Sequence, residues 1–113
     1  MSIQDKIREQ VKGHPVVLYM KGTPQFPQCG FSATAAEILK RCGVKDYFSV
    51  NVLADADIRQ GIKEYANWPT IPQLYVKGEF VGGCDIVREM FQSGELTDHL
   101  AQAGVPHKAP ARG

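Results

Sequence analysis

Two strand-like runs bracket a helical one, and that order constrains the fold of this 113-residue chain more than any other feature. Val16-Val17-Leu18-Tyr19-Met20 is short, continuous and apolar, the pattern of a strand buried on both faces. Phe31, Ala35, Ile38, Leu39 and Cys42 then recur at helical spacing, and Gly43 supplies a stop. Phe48, Val50 and Val52 alternate, as in a strand with one face inward. A strand, a helix and a second strand in this order demand a parallel crossover.

The remaining segments build around that unit. Ile3, Ile7 and Val11 repeat every four residues and predict an N-terminal helix stopped by Gly13. Asp55 can cap a third helix with Ile58, Ile62 and Tyr65 on its apolar face, although Gly61 costs it about 1 kcal/mol relative to alanine. Leu74–Val76 and Glu79–Val81 flank Lys77-Gly78 as a tight hairpin. Ile86, Val87, Met90 and Phe91 mark a helix ending at Gly94, and Leu96, Leu100 and Ala103 a last one ending at Gly104. The expectation is an α/β domain over residues 1–104, a four-stranded mixed sheet with helices on both faces. Residues 105–113, with Pro106 and Pro110, are expected to form a flexible C-terminal tail.

Composition excludes several classes. Hydrophobic residues at 43% and charged residues at 22% do not fit a disordered chain. A formal charge of +1 implies no sequence-independent grip on nucleic acid. No apolar run approaches the ~20 residues of a membrane span, and Met1 to Lys12 lack the apolar block of a secretory signal. Three widely spaced cysteines make no disulfide framework, so a cytoplasmic location is expected. The spacings of His14, His99 and His107 relative to the cysteines match no common zinc pattern.

Cys29 carries the chemistry. It follows the first strand and a loop containing Gly22, Pro24 and Pro27, and it opens a helix, where unpaired N–H groups and the positive dipole end favour a thiolate. Lys21 adds positive charge at the same edge; the plainer reading is a buried structural cysteine. Ser32 stands where a second thiol would complete Cys-x-x-Cys, and a hydroxyl cannot resolve a mixed disulfide at neutral pH. Any redox chemistry must therefore borrow its second sulfur.

Two further motifs can hold a ligand. Trp68-Pro69-Thr70-Ile71-Pro72 enters the third strand, and with Ile71–Pro72 cis the Ile71 backbone groups would face outward beside Cys29. Local sequence alone favours trans. Gly82-Gly83-Cys84-Asp85 opens a helix whose Cys84 and Asp85 amides can bind a carboxylate, or serve only as a cap. Arg59 and Lys63 lie one turn apart on a polar helix face, which solvation alone explains. Together these groups match the polarity of glutathione. Lys21 and Arg59 suit one carboxylate, the Cys84 and Asp85 amides the other, and the Asp85 side chain the amine, with Cys29 facing the thiol.

Lys21-Gly22-Thr23-Pro24, Pro27-Gln28-Cys29-Gly30-Phe31-Ser32, Trp68 to Pro72 and Gly82 to Asp85, in that order, resemble the single-domain monothiol glutaredoxins of the Cys-Gly-Phe-Ser class. The likeness runs from about Ile3 to Leu100. It implies a thioredoxin fold with Pro72 cis, glutathione contacts at Lys21, Arg59, Ile71, Cys84 and Asp85, and Cys29 as the functional thiol and metal ligand. It further implies a [2Fe–2S] cluster shared by two subunits, each supplying one Cys29 thiolate and one glutathione, which agrees with the four thiolates such a cluster usually takes. A carrier delivering clusters to iron–sulfur apo-proteins follows, forming a homodimer when loaded and a mixed complex with BolA-like proteins. The alternatives are a weak glutathione-dependent oxidoreductase acting on mixed disulfides, with a variant in which Cys84 pairs with Cys29, and an interaction module with neither activity.

Overall fold

The computed structural model describes residues 2–108. A four-stranded sheet runs in the order β2-β1-β3-β4, with β1 Val16–Met20, β2 Phe48–Asn51, β3 Gln73–Val76 and β4 Glu79–Gly82. Every residue of β1 is buried, because the strand is central and both its faces are covered. It pairs parallel to β2, Tyr19 opposite Val50, and antiparallel to β3, Tyr19 opposite Gln73. The β3–β4 hairpin turns at Lys77 (φ 52°) and Gly78 (φ 82°), the two left-handed residues a type I′ turn needs.

Helices cover both faces, as the alternating side chains of β1 dictate. Val16, Leu18 and Met20 face a core completed by α2 Gly30–Arg41, α4 Cys84–Ser93 and α5 Glu95–Gln102, through Leu39, Val87, Leu96 and Leu100. Val17 and Tyr19 face Ile7 and Val11 of α1 Ile3–Gly13 and Ile58 and Ile62 of α3 Ala56–Ala66. Ser2 starts α1 with a capping box, its hydroxyl accepting the Asp5 N–H at 3.1 Å. Asp55 caps α3, its carboxylate accepting the Asp57 and Ile58 N–H groups at 3.0 and 3.2 Å. Gly61 has a packing reason: a Cβ there would sit 3.0 Å from Ile7 Cδ1, so it lets α1 approach α3. No described helix is long and apolar enough to cross a membrane.

Two expectations need amending. Phe31 repeats at helical spacing with the core residues of α2, yet it is 60% exposed. The residue that turns inward there is Ser32, fully buried. Within the segment expected to be a tail, Val105 is buried and the Lys108 N–H donates to the Cys42 carbonyl at 2.7 Å. Residues 105–108 thus pack on the end of α2, and residues 109–113 lie outside the described residues.

Candidate thiol and glutathione site

A folded loop delivers Cys29 back to the end of β1. The Gln28 N–H donates to the Lys21 carbonyl at 2.9 Å, the Gly22 N–H to Asn51 Oδ1 at 3.0 Å, and the Phe26 N–H to the Thr23 carbonyl at 3.1 Å. Gly22 sits at φ +89°, where a Cβ would lie 2.5 Å from the Phe26 carbonyl oxygen, so only glycine closes this turn. Pro24 and Pro27 stiffen it.

Cys29 is the N-cap residue of α2, in extended conformation (φ −156°, ψ 137°), and half-buried. Its thiol pKa is lowered from the ordinary value, chiefly by the Ser32 backbone N–H. Partial desolvation opposes this; the Phe31 N–H, the Lys21 charge and the Ser32 hydroxyl reinforce it. No side-chain cap hydrogen bond forms at Cys29, so the helix-end amides act on the sulfur as a set of aligned dipoles rather than through one well-formed bond. Cys42, buried at the other end of α2, shows the contrast: burial alone pushes its thiol up.

Ser32 is committed elsewhere. Its Oγ accepts the Lys21 N–H at 3.0 Å, bracing the end of β1 against the first turn of α2. All three cysteines are free, and among the described residues no three His, Cys, Asp or Glu side chains gather as a metal site. Of the three cysteines, Cys29 alone is half-buried; Cys42 is buried in the core and Cys84 is buried at the start of α4.

A groove of about 170 Å³ is lined by Phe31 from the first turn of the thiol helix together with Trp68, Thr70, Ile71, Pro72, Gly83, Cys84, Asp85 and Ile86. The fold thus brings Ile71, Cys84 and Asp85 to one groove. The Ile71–Pro72 peptide is cis, as the resemblance implies and local sequence does not. Cys84 and Asp85 open α4 behind Gly83, presenting the first amides of that helix to the groove. Arg88 reaches back from the next turn, its guanidinium 3.5 Å from Cys84 Sγ and 3.8 Å from Asp85 Oδ1.

Lys21 stands close enough to Cys29 to act on its charge, outside the groove itself. Arg59 is one turn into α3, its N–H bonded to the Asp55 carbonyl, and it does not line the groove. Phe31 and Ile86, assigned to helix core faces by spacing, instead flank the groove, with Ile86 38% exposed. Their signal was positional: each is an apolar residue in the first turn of a helix.

Known proteins resemble this chain in sequence and fold. The family profile described as Glutaredoxin matches residues 16–81. Over 107 residues the chain is 50% identical to Glutaredoxin 4 of Haemophilus ducreyi, covering 95% of this chain and 99% of that one. It is 51% identical over 110 residues to Monothiol glutaredoxin-5, mitochondrial, of Saccharomyces cerevisiae, covering 94% and 73%. The solution structure of a monomeric truncated mutant of Trypanosoma brucei 1-C-Grx1 superposes with a TM-score of 0.84 at 40% identity, covering 95% and 96%. With the thioredoxin fold, a lone thiol at a helix N-terminus and a serine in the second position, the chain belongs to the glutaredoxin family, in its single-domain monothiol class.

Proposed function

We propose that this glutaredoxin binds glutathione in the groove beside Cys29 and carries a [2Fe–2S] cluster between two subunits, for delivery to iron–sulfur apo-proteins. The observation that carries the reading is the fate of the second thiol position. Ser32 is fully buried and holds the Lys21 N–H, so a subunit contributes one sulfur where such a cluster usually needs four. Two Cys29 thiolates and two glutathione thiolates make up that number. Cys29 fits the role: it is half-buried, not sealed, and its thiolate is favoured by the amides of α2.

The groove suits an anionic tripeptide. The Cys84 and Asp85 amides face a carboxylate, the exposed Asp85 carboxylate can take an amine, and Lys21 meets a second carboxylate near the thiol. Arg59 joins that second contact by swinging in from α3. Because two of four ligands are small dissociable thiols, the cluster is held loosely enough to be handed on. A BolA-like protein offering a histidine can replace ligands from one subunit, giving a mixed complex.

A second reading rests on the same lowered pKa. The Cys29 thiolate attacks the glutathione sulfur of a mixed disulfide, expelling the protein thiolate; a second glutathione thiolate then attacks Cys29–S–SG, releasing oxidised glutathione and regenerating Cys29. Anaerobic reconstitution with ferrous iron, sulfide and glutathione separates the readings. Visible charge-transfer absorption that requires both glutathione and Cys29 supports the carrier. Its absence, with rapid turnover of a glutathionylated substrate, supports the oxidoreductase.

A further inference from the structure

Among the described residues two polar side chains are buried, Ser32 and Gln73. Ser32 serves the thiol. Gln73, the first residue of β3 and fully buried, serves the groove. Its Nε2 donates to the Trp68 carbonyl at 3.1 Å and to the Thr70 carbonyl at 3.2 Å, and its Oε1 accepts the Tyr75 hydroxyl at 2.9 Å. Both amide protons are used and the oxygen is met, so a buried amide that would otherwise be costly is satisfied.

The orientation of the amide is set by its partners. Tyr75 is two residues on in β3, on the same sheet face, buried among Tyr19, Tyr65 and Phe80. The Trp68 and Thr70 carbonyls can only accept, so the nitrogen end of the amide must face them. The Tyr75 phenol, kept protonated by burial, then donates to the oxygen end.

Those carbonyls belong to a segment anchored at its ends, by Trp68 against Phe80 and by buried Ile71. Residues 67–72 form neither helix nor strand; the chain leaves α3 through left-handed Asn67, and the Trp68 N–H closes on the Lys63 carbonyl at 3.0 Å. Trp68, Thr70 and Ile71 make one wall of the groove. Trp68 Nε1 would come within 3.0 Å of a Cβ on Gly83, so the indole rests against the opposite wall.

We infer that Gln73 is a positioning residue for glutathione: its amide fixes the Trp68–Thr70 wall, and with it the affinity for the tripeptide bound there. This inference rests on the glutathione reading above. It touches neither ligand nor thiol, and acts only through the wall.

The test is Gln73→Met, which keeps length and volume but has no hydrogen bonds to give. Glutathione is titrated into the intact protein by calorimetry, with emission of Trp68, the single tryptophan, as a second readout. The expected result is a folded variant whose glutathione Kd rises about tenfold, equivalent to about 1.4 kcal/mol. Its Trp68 emission changes without ligand, and the pH profile of Cys29 alkylation stays put, since the amides that set it belong to α2. Tyr75→Phe, which keeps the packing but leaves the Gln73 amide oxygen unpaired and so weakens its hold, shifts Kd and emission the same way by less, and it carries the test if Gln73→Met fails to fold.

A folded Gln73→Met with wild-type Kd and emission overturns the inference. So does a Cys29 profile that moves along with Kd, the mark of general loosening. If wild-type protein itself does not bind glutathione, the functional reading fails, while the Trp68 emission of the variant still supports or overturns the clamp on the wall.

Discussion

The backbone N–H of Lys21 donates to the hydroxyl oxygen of Ser32 across 3.0 Å, joining the residue that follows the central strand to the first turn of the thiol helix. A residue that chemistry would want as a second thiol is thereby turned into a strut. The same contact keeps Lys21 beside Cys29, where its charge favours the thiolate. The serine in that position leaves the site without a second thiol, and its backbone N–H is the largest influence lowering the Cys29 pKa.

Ser32→Ala removes the acceptor of a part-buried N–H. Stability is expected to fall by about 1–2 kcal/mol in urea unfolding. The Cys29 pKa rises only slightly, because the Ser32 backbone N–H, its largest influence, remains. A large rise in the alkylation pKa would show that the hydroxyl, not the helix end, governs the thiol.

The lowered Cys29 pKa makes stability depend on pH in a definite direction. The fold favours the thiolate, so Cys29 adds stability at pH values above its unfolded value, near 9.0, and that gain is lost as pH falls through the folded pKa. Cys42, whose pKa is raised, acts in the opposite sense, but it is common to both proteins in the comparison. The difference in melting temperature between wild type and Cys29→Ser should therefore grow in favour of wild type from pH 6 toward about pH 9. A difference that is flat across this range contradicts the assignment.

Gly22→Ala places a Cβ against the Phe26 carbonyl oxygen and the Gln28 nitrogen, at 2.5 and 2.7 Å, in a left-handed conformation. Backbone must shift. The expected cost is about 2 kcal/mol, with lower yield of reconstituted cluster because Cys29 follows this loop directly. Unchanged stability would mean that the loop has freedom the geometry denies it.

Much of this was legible in the chain. The apolar run Val16–Met20, the Asp55 cap and the Lys77-Gly78 turn report their structures locally, because burial on both faces, capping and positive φ each demand particular residues. The placing of Cys29 at a helix start was legible for the same reason. The cis state of Pro72 was not, since tertiary context decides it, and only the resemblance pointed there. Nor were the inward turn of Ser32 and the outward turn of Phe31. Gln73 was passed over entirely: nothing local distinguishes a glutamine that spans two carbonyls from a solvated one. Arg59 and Lys21, singled out for their charge, lie outside the residues that line the groove.

Gly83→Ala tests the other wall. Its Cβ would lie 3.0 Å from Trp68 Nε1 and 3.4 Å from the Pro72 carbonyl oxygen, so the partly exposed indole must give way. Stability should drop by about 1 kcal/mol, since Gly83 is the N-cap of α4, a position where glycine is preferred to alanine. Glutathione affinity should fall severalfold, with a change in Trp68 emission. Wild-type affinity with an unmoved emission would show that the indole does not shape the site.

The central claim is that a subunit supplies one sulfur and must be completed from outside. Native mass spectrometry of protein reconstituted without air, with iron, sulfide and glutathione, tests it most directly. The account predicts two chains, one [2Fe–2S] cluster and two glutathione molecules in one coloured species, absent in Cys29→Ser. A single chain that keeps iron and sulfide after every small thiol has been removed would contradict it.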